Sequence, residues 1–313
     1  MYGFSKIYPM NKKLITALLA ITLTTSTISV SKAEDAKPQT VAILDTALDT
    51  NLPIFKDRLI HEVCILAWNS CPNKQSFMEG AGASLLPLNI LSKNGFDHGT
   101  QMASVLVQEN PDIKFVFIRI IGNTVSGDRQ TTPESTVVKA LDWVYSNKDK
   151  FNIQAVTMSQ GNHNLLNAKD YCPKTVSTQS RIKQLLASGV PTFLPAGNIK
   201  DYKRIDWPAC LPESIAIGAS SREEEIATFS NYDPLLIDFY ALGYKTASVP
   251  GGKIVNAAGT SVAVQVAAAK WLKVKSSKPD ADLYSLIKKT GVNIKGINGM
   301  IGNMINIEGA LNG

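Results

Sequence analysis

The chain has 313 residues, 44% hydrophobic and 19% charged, an ordinary globular composition with ample apolar material for one large domain or two small ones. Its formal charge of +6 is concentrated at the start: residues 1–33 hold Lys6, Lys12, Lys13 and Lys32 and no acid, and the remainder carries 28 basic against 26 acidic residues. No concentrated basic face is left to displace counterions, so a nucleic-acid partner is not expected.

At the N-terminus, Asn11-Lys12-Lys13 reads as a positive region, Leu14 to Leu23 as a short apolar run, and Ser31-Lys32-Ala33 as a cleavage site. Residues 1–33 are therefore expected to be a signal peptide, with Met10 as an alternative start and an uncleaved anchor as the competing reading. A membrane span needs about 20 apolar residues, and no stretch here supplies them. The mature chain, 34–313, is expected to be exported to the periplasm or the medium, with no membrane attachment. In that oxidising setting Cys64, Cys71, Cys172 and Cys210 form an even set with three possible pairings. The favoured one closes a local loop from Cys64 to Cys71 and ties two distant loops through Cys172 and Cys210. His61 beside Cys64 lacks the second half of a metal site and reads as part of a strand.

Thr40 to Leu44 is a β-branched and apolar run, a buried strand ending at Asp45. His61 to Trp68 is a second strand, residues 69–97 a loop, and His98 to Gln108 a helix. Ile113 to Ile121 is a further strand. Thr132-Pro133-Glu134 is a helix start with Thr132 as cap, and Val137, Leu141 and Val144 share one face of that helix. Ile153 to Met158, Val190 to Leu194 and Ser214 to Ile217 are strands, Gln179 to Ala187 a helix. Asn256 to Ala258 runs through Gly259-Thr260-Ser261 into an apolar segment of small residues, the pattern of a helix packed tightly in a core. Pro279 to Thr290 is the last long helix, with Gly291 as its cap. Strand and helix alternate, so the expected class is α/β: three layers, with a mainly parallel central sheet flanked by helices.

In such sheets ligands bind beyond the carboxyl ends of the strands, where Asp45, Asn198 and the loop before Ser261 all fall. Each residue has a plain structural reading: Asp45 a cap or a metal ligand, His98 a helix-start residue, Gly197-Asn198 a turn, Ser261 an N-cap. Together they supply the parts of acyl transfer. A serine attacks a carbonyl, a histidine accepts its proton, a carboxylate fixes the imidazole, and an amide N–H meets the oxyanion.

The motifs that carry these residues, Val41-Ala42-Ile43-Leu44-Asp45-Thr46, His98-Gly99-Thr100, Ala196-Gly197-Asn198 and Gly259-Thr260-Ser261, resemble those of the subtilisin-like serine peptidases, in the family order Asp, His, Ser. The resemblance implies Asp45, His98 and Ser261 as a catalytic triad and Asn198 as the oxyanion donor. Thr157-Met158-Ser159-Gln160-Gly161 resembles the segment that pairs with substrate backbone, so Ser159, Gln160 and Gly161 are implied substrate contacts. Arg119-Ile120-Ile121-Gly122 resembles the opposing strand and adds Ile121 and Gly122. The likeness extends over about residues 40–311. Three positions depart from the pattern: Ala47 for a glycine, Gln101 for a second histidine, and Gln265 for a proline. The segment from His98 to Ile121 has no insertion resembling the family's strong calcium loop, so no calcium is expected there and no cofactor at all, with weak calcium sites elsewhere left open. The 11 residues from Glu34 to Leu44 leave no room for a prodomain, so unaided folding or a separately encoded chaperone or inhibitor is expected. The implied activity is serine endopeptidase action on polypeptides through an acyl-enzyme. The alternatives are a catalytically silent binding module, or a serine esterase or peptide ligase on the same framework.

Overall fold

Thr40–Asp45 (β1) is buried at every position, with Val41 and Ile43 in one core cluster and Ala42 and Leu44 in another. Alternate side chains of a strand point to opposite faces, so such a strand must be covered on both sides. The computed structural model, which describes residues 38–68, 70–93, 95–162, 172 and 176–313, shows how it is covered. The expected signal peptide lies outside the described residues.

The elements after β1 are β2 (Leu59–Ile65), β3 (Phe77–Glu79), α1 (Leu88–Leu91), α2 (His98–Glu109), β4 (Lys114–Arg119), α3 (Glu134–Phe151), β5 (Ile153–Met158), α4 (Val176–Ala187), β6 (Thr192–Pro195) and β7 (Ile215–Ser220). Then come β8 (Phe239–Leu242), β9 (Tyr244–Ser248), β10 (Ile254–Ala258), α5 (Thr260–Ser277), α6 (Leu283–Thr290), β11 (Val292–Lys295), β12 (Ile301–Met304) and α7 (Ile307–Asn312). Ten strands make one sheet in the order β11-β12-β8-β7-β6-β5-β1-β4-β2-β3. Neighbours are parallel from β2 through to β12, and only the outer strands β3 and β11 run antiparallel to theirs. β9 and β10 pair separately as an antiparallel ribbon. One face of the sheet is covered by α2 and α5, the other by α3 and α4, which gives the three expected layers.

α5 is buried on nearly every side, from Val262 through Ala269 and on to Trp271, Leu272 and Val274. A helix apolar all round belongs inside a protein, and its alanines let strands and α2 approach closely. The sheet order reverses at β1, which lies between β4 and β5. Such a reversal opens a crevice at the carboxyl ends of the strands.

Several boundaries differ from the sequence reading. The second strand is Leu59–Ile65 rather than His61–Trp68, because it starts in register with Phe115 of β4 and the Cys64–Cys71 bond turns the chain just beyond it. The expected loop at 69–97 contains β3 and α1, both too short to show a period. Thr132 does not cap α3: Pro133 holds that place, and the Thr132 hydroxyl donates to Ile120 O at 3.2 Å. Gly291 ends α6 at φ −64, not in the left-handed region, and the Asn303 side-chain amide packs where a Cβ would be, 1.9 Å from Oδ1. The disulfides join Cys64 to Cys71 and Cys172 to Cys210.

Candidate active site

Asp45 closes β1 with its side chain fully buried, and His98 opens α2 with a quarter of its side chain exposed. His98 Nδ1 lies 2.8 Å from Asp45 Oδ1, which also accepts from the Thr46 backbone N–H at 2.7 Å. A buried carboxylate at that distance selects the tautomer protonated on Nδ1 and leaves Nε2 with its lone pair. The histidine is placed by its neighbours. Thr46 Oγ1 donates to Phe96 O at 2.8 Å and accepts from Gly99 N at 2.9 Å, which ties the end of β1 to the first turn of α2. A Cβ on Gly99 would sit 2.4 Å from Ala47 O and 2.7 Å from the Phe117 ring, so only glycine lets α2 start this close to the strand. Gln101, at the departure from the family pattern, donates to Asp97 Oδ2 at 2.8 Å across the same turn.

Ser261 is the second residue of α5, among N–H groups that have no partner within the helix. Gly259 precedes it at φ +151, a conformation that any side chain would strain. Asn198 follows β6, and its amide oxygen accepts from Thr260 N at 2.8 Å and Thr260 Oγ1 at 3.0 Å. With the oxygen held by two donors, Nδ2 is left as the group that can donate into the cleft. Ser159, at the end of β5, is bound to Ser261 twice: Ser261 Oγ donates to Ser159 O at 3.2 Å, and Ser159 Oγ donates to Ser261 O at 3.0 Å. Gln265, fully buried one turn along α5, donates from Nε2 to Ser159 Oγ at 3.0 Å. Among the described residues no hydrogen bond joins Ser261 to His98.

His98, Asn198 and Ser261 share the lining of a cavity of about 200 Å³ with Ser159, Gln160 and Gly161. Ile121 lies instead on a second cavity of about 500 Å³, which Gln160 and Gly161 also border. The Gly122 carbonyl accepts from Gln130 N at 2.9 Å. The Gln160 side chain turns inward: Nε2 donates to Asp45 Oδ1 at 3.0 Å, and Oε1 accepts from Arg129 Nη2 at 2.7 Å. Its 3.3 Å approach to His98 Nδ1 sets two donors side by side once that nitrogen carries its proton. Thr46, Thr260, Arg129 and Asp206 belong to the site or its lining and stand outside the roles read from the sequence. Thr46 and Thr260 could have been found as neighbours of the motif residues; Arg129 and Asp206 sit in loops with no local signal.

Arg119, next to Asp45 across the sheet, is fully buried. Its guanidinium donates to Ile121 O, Leu85 O and Asn123 Oδ1 rather than to Asp45, and burial lowers its pKa to about 10. It is a brace for the 119–123 segment. Among the described residues no cluster of three His, Cys, Asp or Glu side chains could hold a metal ion, and no helix is long and apolar enough to cross a membrane.

A family profile described as the subtilase family matches residues 36–302. The chain is 25% identical over 242 residues to alkaline elastase YaB of Bacillus sp. (strain YaB), covering 73% of this chain and 59% of that protein. It is 23% identical over 242 residues to subtilisin Savinase of Lederbergia lenta, covering 73% and 82% respectively. The chain therefore spans about three-fifths of the first of these relatives. Among solved structures, a lanthipeptide protease superposes with a TM-score of 0.67 at 17% identity, over 87% of this chain and 86% of that one. A cold-adapted subtilisin-like serine proteinase gives 0.61 at 20% identity, over 85% and 87%.

Proposed function

The chain belongs to the subtilase family, and from that premise we propose that it is a serine endopeptidase that cleaves polypeptides through an acyl-enzyme. The observation that carries the proposal is the 2.8 Å pairing of a buried Asp45 with His98 on the rim of the cavity that also holds Ser261 and Asn198.

Ser261 Oγ gives its proton to His98 Nε2 as it bonds to the substrate carbonyl carbon. Asp45, holding Nδ1–H, stabilises the imidazolium that results. The carbonyl oxygen becomes an oxyanion and accepts from Asn198 Nδ2 and from the Ser261 backbone N–H, where the start of α5 favours negative charge. Collapse breaks the C–N bond, and His98 passes its proton to the departing amine. Water then repeats the sequence on the ester and frees the serine. The Ser261 hydroxyl, bonded to Ser159 O at rest, turns to His98 for this step.

Both disulfides favour action outside the reducing cytosol, in keeping with export by the N-terminal segment. A second reading is a silent binding module, favoured by the Ser261–Ser159 bond and by Gln160 on Asp45. A fluorophosphonate probe separates the two. Labelling of the wild-type protein, absent in Ser261→Ala, is the expected result; a folded wild-type protein that stays unlabelled supports the silent module.

A further inference from the structure

Gln160 is held at both ends by partners whose polarity admits one orientation of its amide. Arg129 can only donate, and Gln160 Oε1 accepts from its Nη2 at 2.7 Å. The ionised Asp45 carboxylate can only accept, and Gln160 Nε2 donates to its Oδ1 at 3.0 Å. Reversing the amide would set two donors against each other at one end and two acceptors at the other. The 3.3 Å approach of Nε2 to His98 Nδ1 follows from this arrangement, because both nitrogens converge on the same Asp45 oxygen. Asp45 is fully buried, whereas His98 and Gln160, which both bond to its Oδ1, line the cavity beside Ser261.

Asp45 has few other holds. Its Oδ1 takes three donors while Oδ2 is buried with none, so nothing on the second oxygen fixes the plane of the carboxylate. Thr46 N belongs to the adjoining peptide and moves with Asp45. Apart from His98 itself, Gln160 is the donor that reaches this carboxylate from another element. Its own anchor is tied to the surrounding segments. Arg129 forms an isolated antiparallel bridge with Asn123, whose Oδ1 accepts from the buried Arg119 at 2.7 Å. On the other side, Arg129 Nη1 lies 3.3 Å from where a Cβ on Gly95 would be. Gly95 O accepts from His98 N at 3.4 Å, in the turn that opens α2. Resting on the reading of Asp45, His98 and Ser261 as the catalytic groups, we infer that Gln160 is a positioning residue, kept in place by Arg129, that fixes the Asp45 carboxylate and through it the His98 imidazole. Hydrogen bonds to charged groups are the stronger kind, and Gln160 makes one to each of its two partners.

The test uses a fluorophosphonate, which requires no known peptide substrate. It reads the maximal rate of Ser261 labelling separately from the probe concentration that gives half that rate. Gln160→Leu, similar in bulk but with neither donor nor acceptor, is expected to lower the maximal rate about tenfold or more and to leave the half-maximal concentration within about twofold. Gln160→Glu keeps the length and the bond to Arg129 but turns an acceptor toward Asp45, so it is expected to lose at least as much. A wild-type rate in Gln160→Glu would mean that residue 160 only fills space, and overturns the inference. An unchanged maximal rate in Gln160→Leu with a raised half-maximal concentration would place Gln160 on the probe rather than on Asp45, and overturns it too. Arg129 is exposed, so its replacement leaves the core packing intact. Arg129→Met is expected to slow labelling about threefold and to add nothing in the Gln160→Leu background. Effects that multiply in the double variant overturn the role of Arg129. A folded wild type that does not label removes the catalytic reading and the inference with it, whereas a labelled wild type with unaffected variants removes the inference alone.

Discussion

Asp45 Oδ1 accepts from Thr46 N, His98 Nδ1 and Gln160 Nε2, while Oδ2 is buried without a partner. All the orienting force on His98 thus passes through one oxygen. Replacing Asp45 by Asn puts an amide where a charge holds Nδ1–H, and the imidazole loses both its tautomer and its counter-charge. Asp45→Asn should lower kcat by about 1,000- to 10,000-fold with little change in KM, read by steady-state kinetics on one peptide substrate. Gln265 poses the opposite case. Its Nε2 holds Ser159, but its Oε1 is buried and unpartnered. Methionine fills the same volume and removes the orphan oxygen, so Gln265→Met should change stability by less than about 1.5 kcal/mol in urea unfolding. Gln265→Ala leaves a cavity within the α5 core and should cost about 2–4 kcal/mol.

At the scale of elements, the β1–α2 junction explains why sequence motifs sat where they did. Thr46 and Gly99 are small or hydroxylated because a strand end and a helix start must meet there within hydrogen-bond distance. On the other face of the sheet, His61 of β2 stacks with Trp143 and Phe151 of α3, ring centres 5.8 and 4.7 Å away, and its Nε2 is buried without a partner. Burial lowers its pKa below the ordinary 6.5, against a smaller opposing pull from Glu79. The folded protein therefore binds this proton less readily than the unfolded chain. The stability from the neutral ring is complete above about pH 6.5 and is lost as pH falls from there toward the lowered folded value. In denaturation at stepped pH, wild type should lose stability relative to His61→Phe below about pH 6.5; parallel profiles would refute this.

For the whole molecule, the site lies at the carboxyl ends of β1, β5 and β6, beside the strand where the sheet order reverses. Four separate segments supply its groups, so their geometry depends on the packing of the entire sheet against α2 and α5. The Cys172–Cys210 bond spans 38 positions and reaches the loop that carries Asp206. Removing a cross-link of that span should cost about 3–4 kcal/mol through the unfolded state, against about 2.5 kcal/mol for the short Cys64–Cys71 loop. Guanidinium unfolding of the Cys172→Ala/Cys210→Ala and Cys64→Ala/Cys71→Ala variants would rank them, and the reverse order would count against the entropic account.

The sequence by itself determined the α/β class, the buried strands at Thr40–Asp45 and Ile153–Met158, and the small-residue helix after Ser261. These arise from runs and periods within a few residues of one another, which local chemistry writes directly. It also marked Asp45, His98, Asn198 and Ser261, because each sits in a short motif with its own backbone demands. Short strands such as β11 and β12 were illegible, being four residues long with no period of their own. Arg129, Asp206 and the inward turn of Gln160 were decided only by tertiary structure. Their neighbours in space lie tens of residues away in the chain, and a side chain's partner across a cleft leaves no trace in the residues beside it.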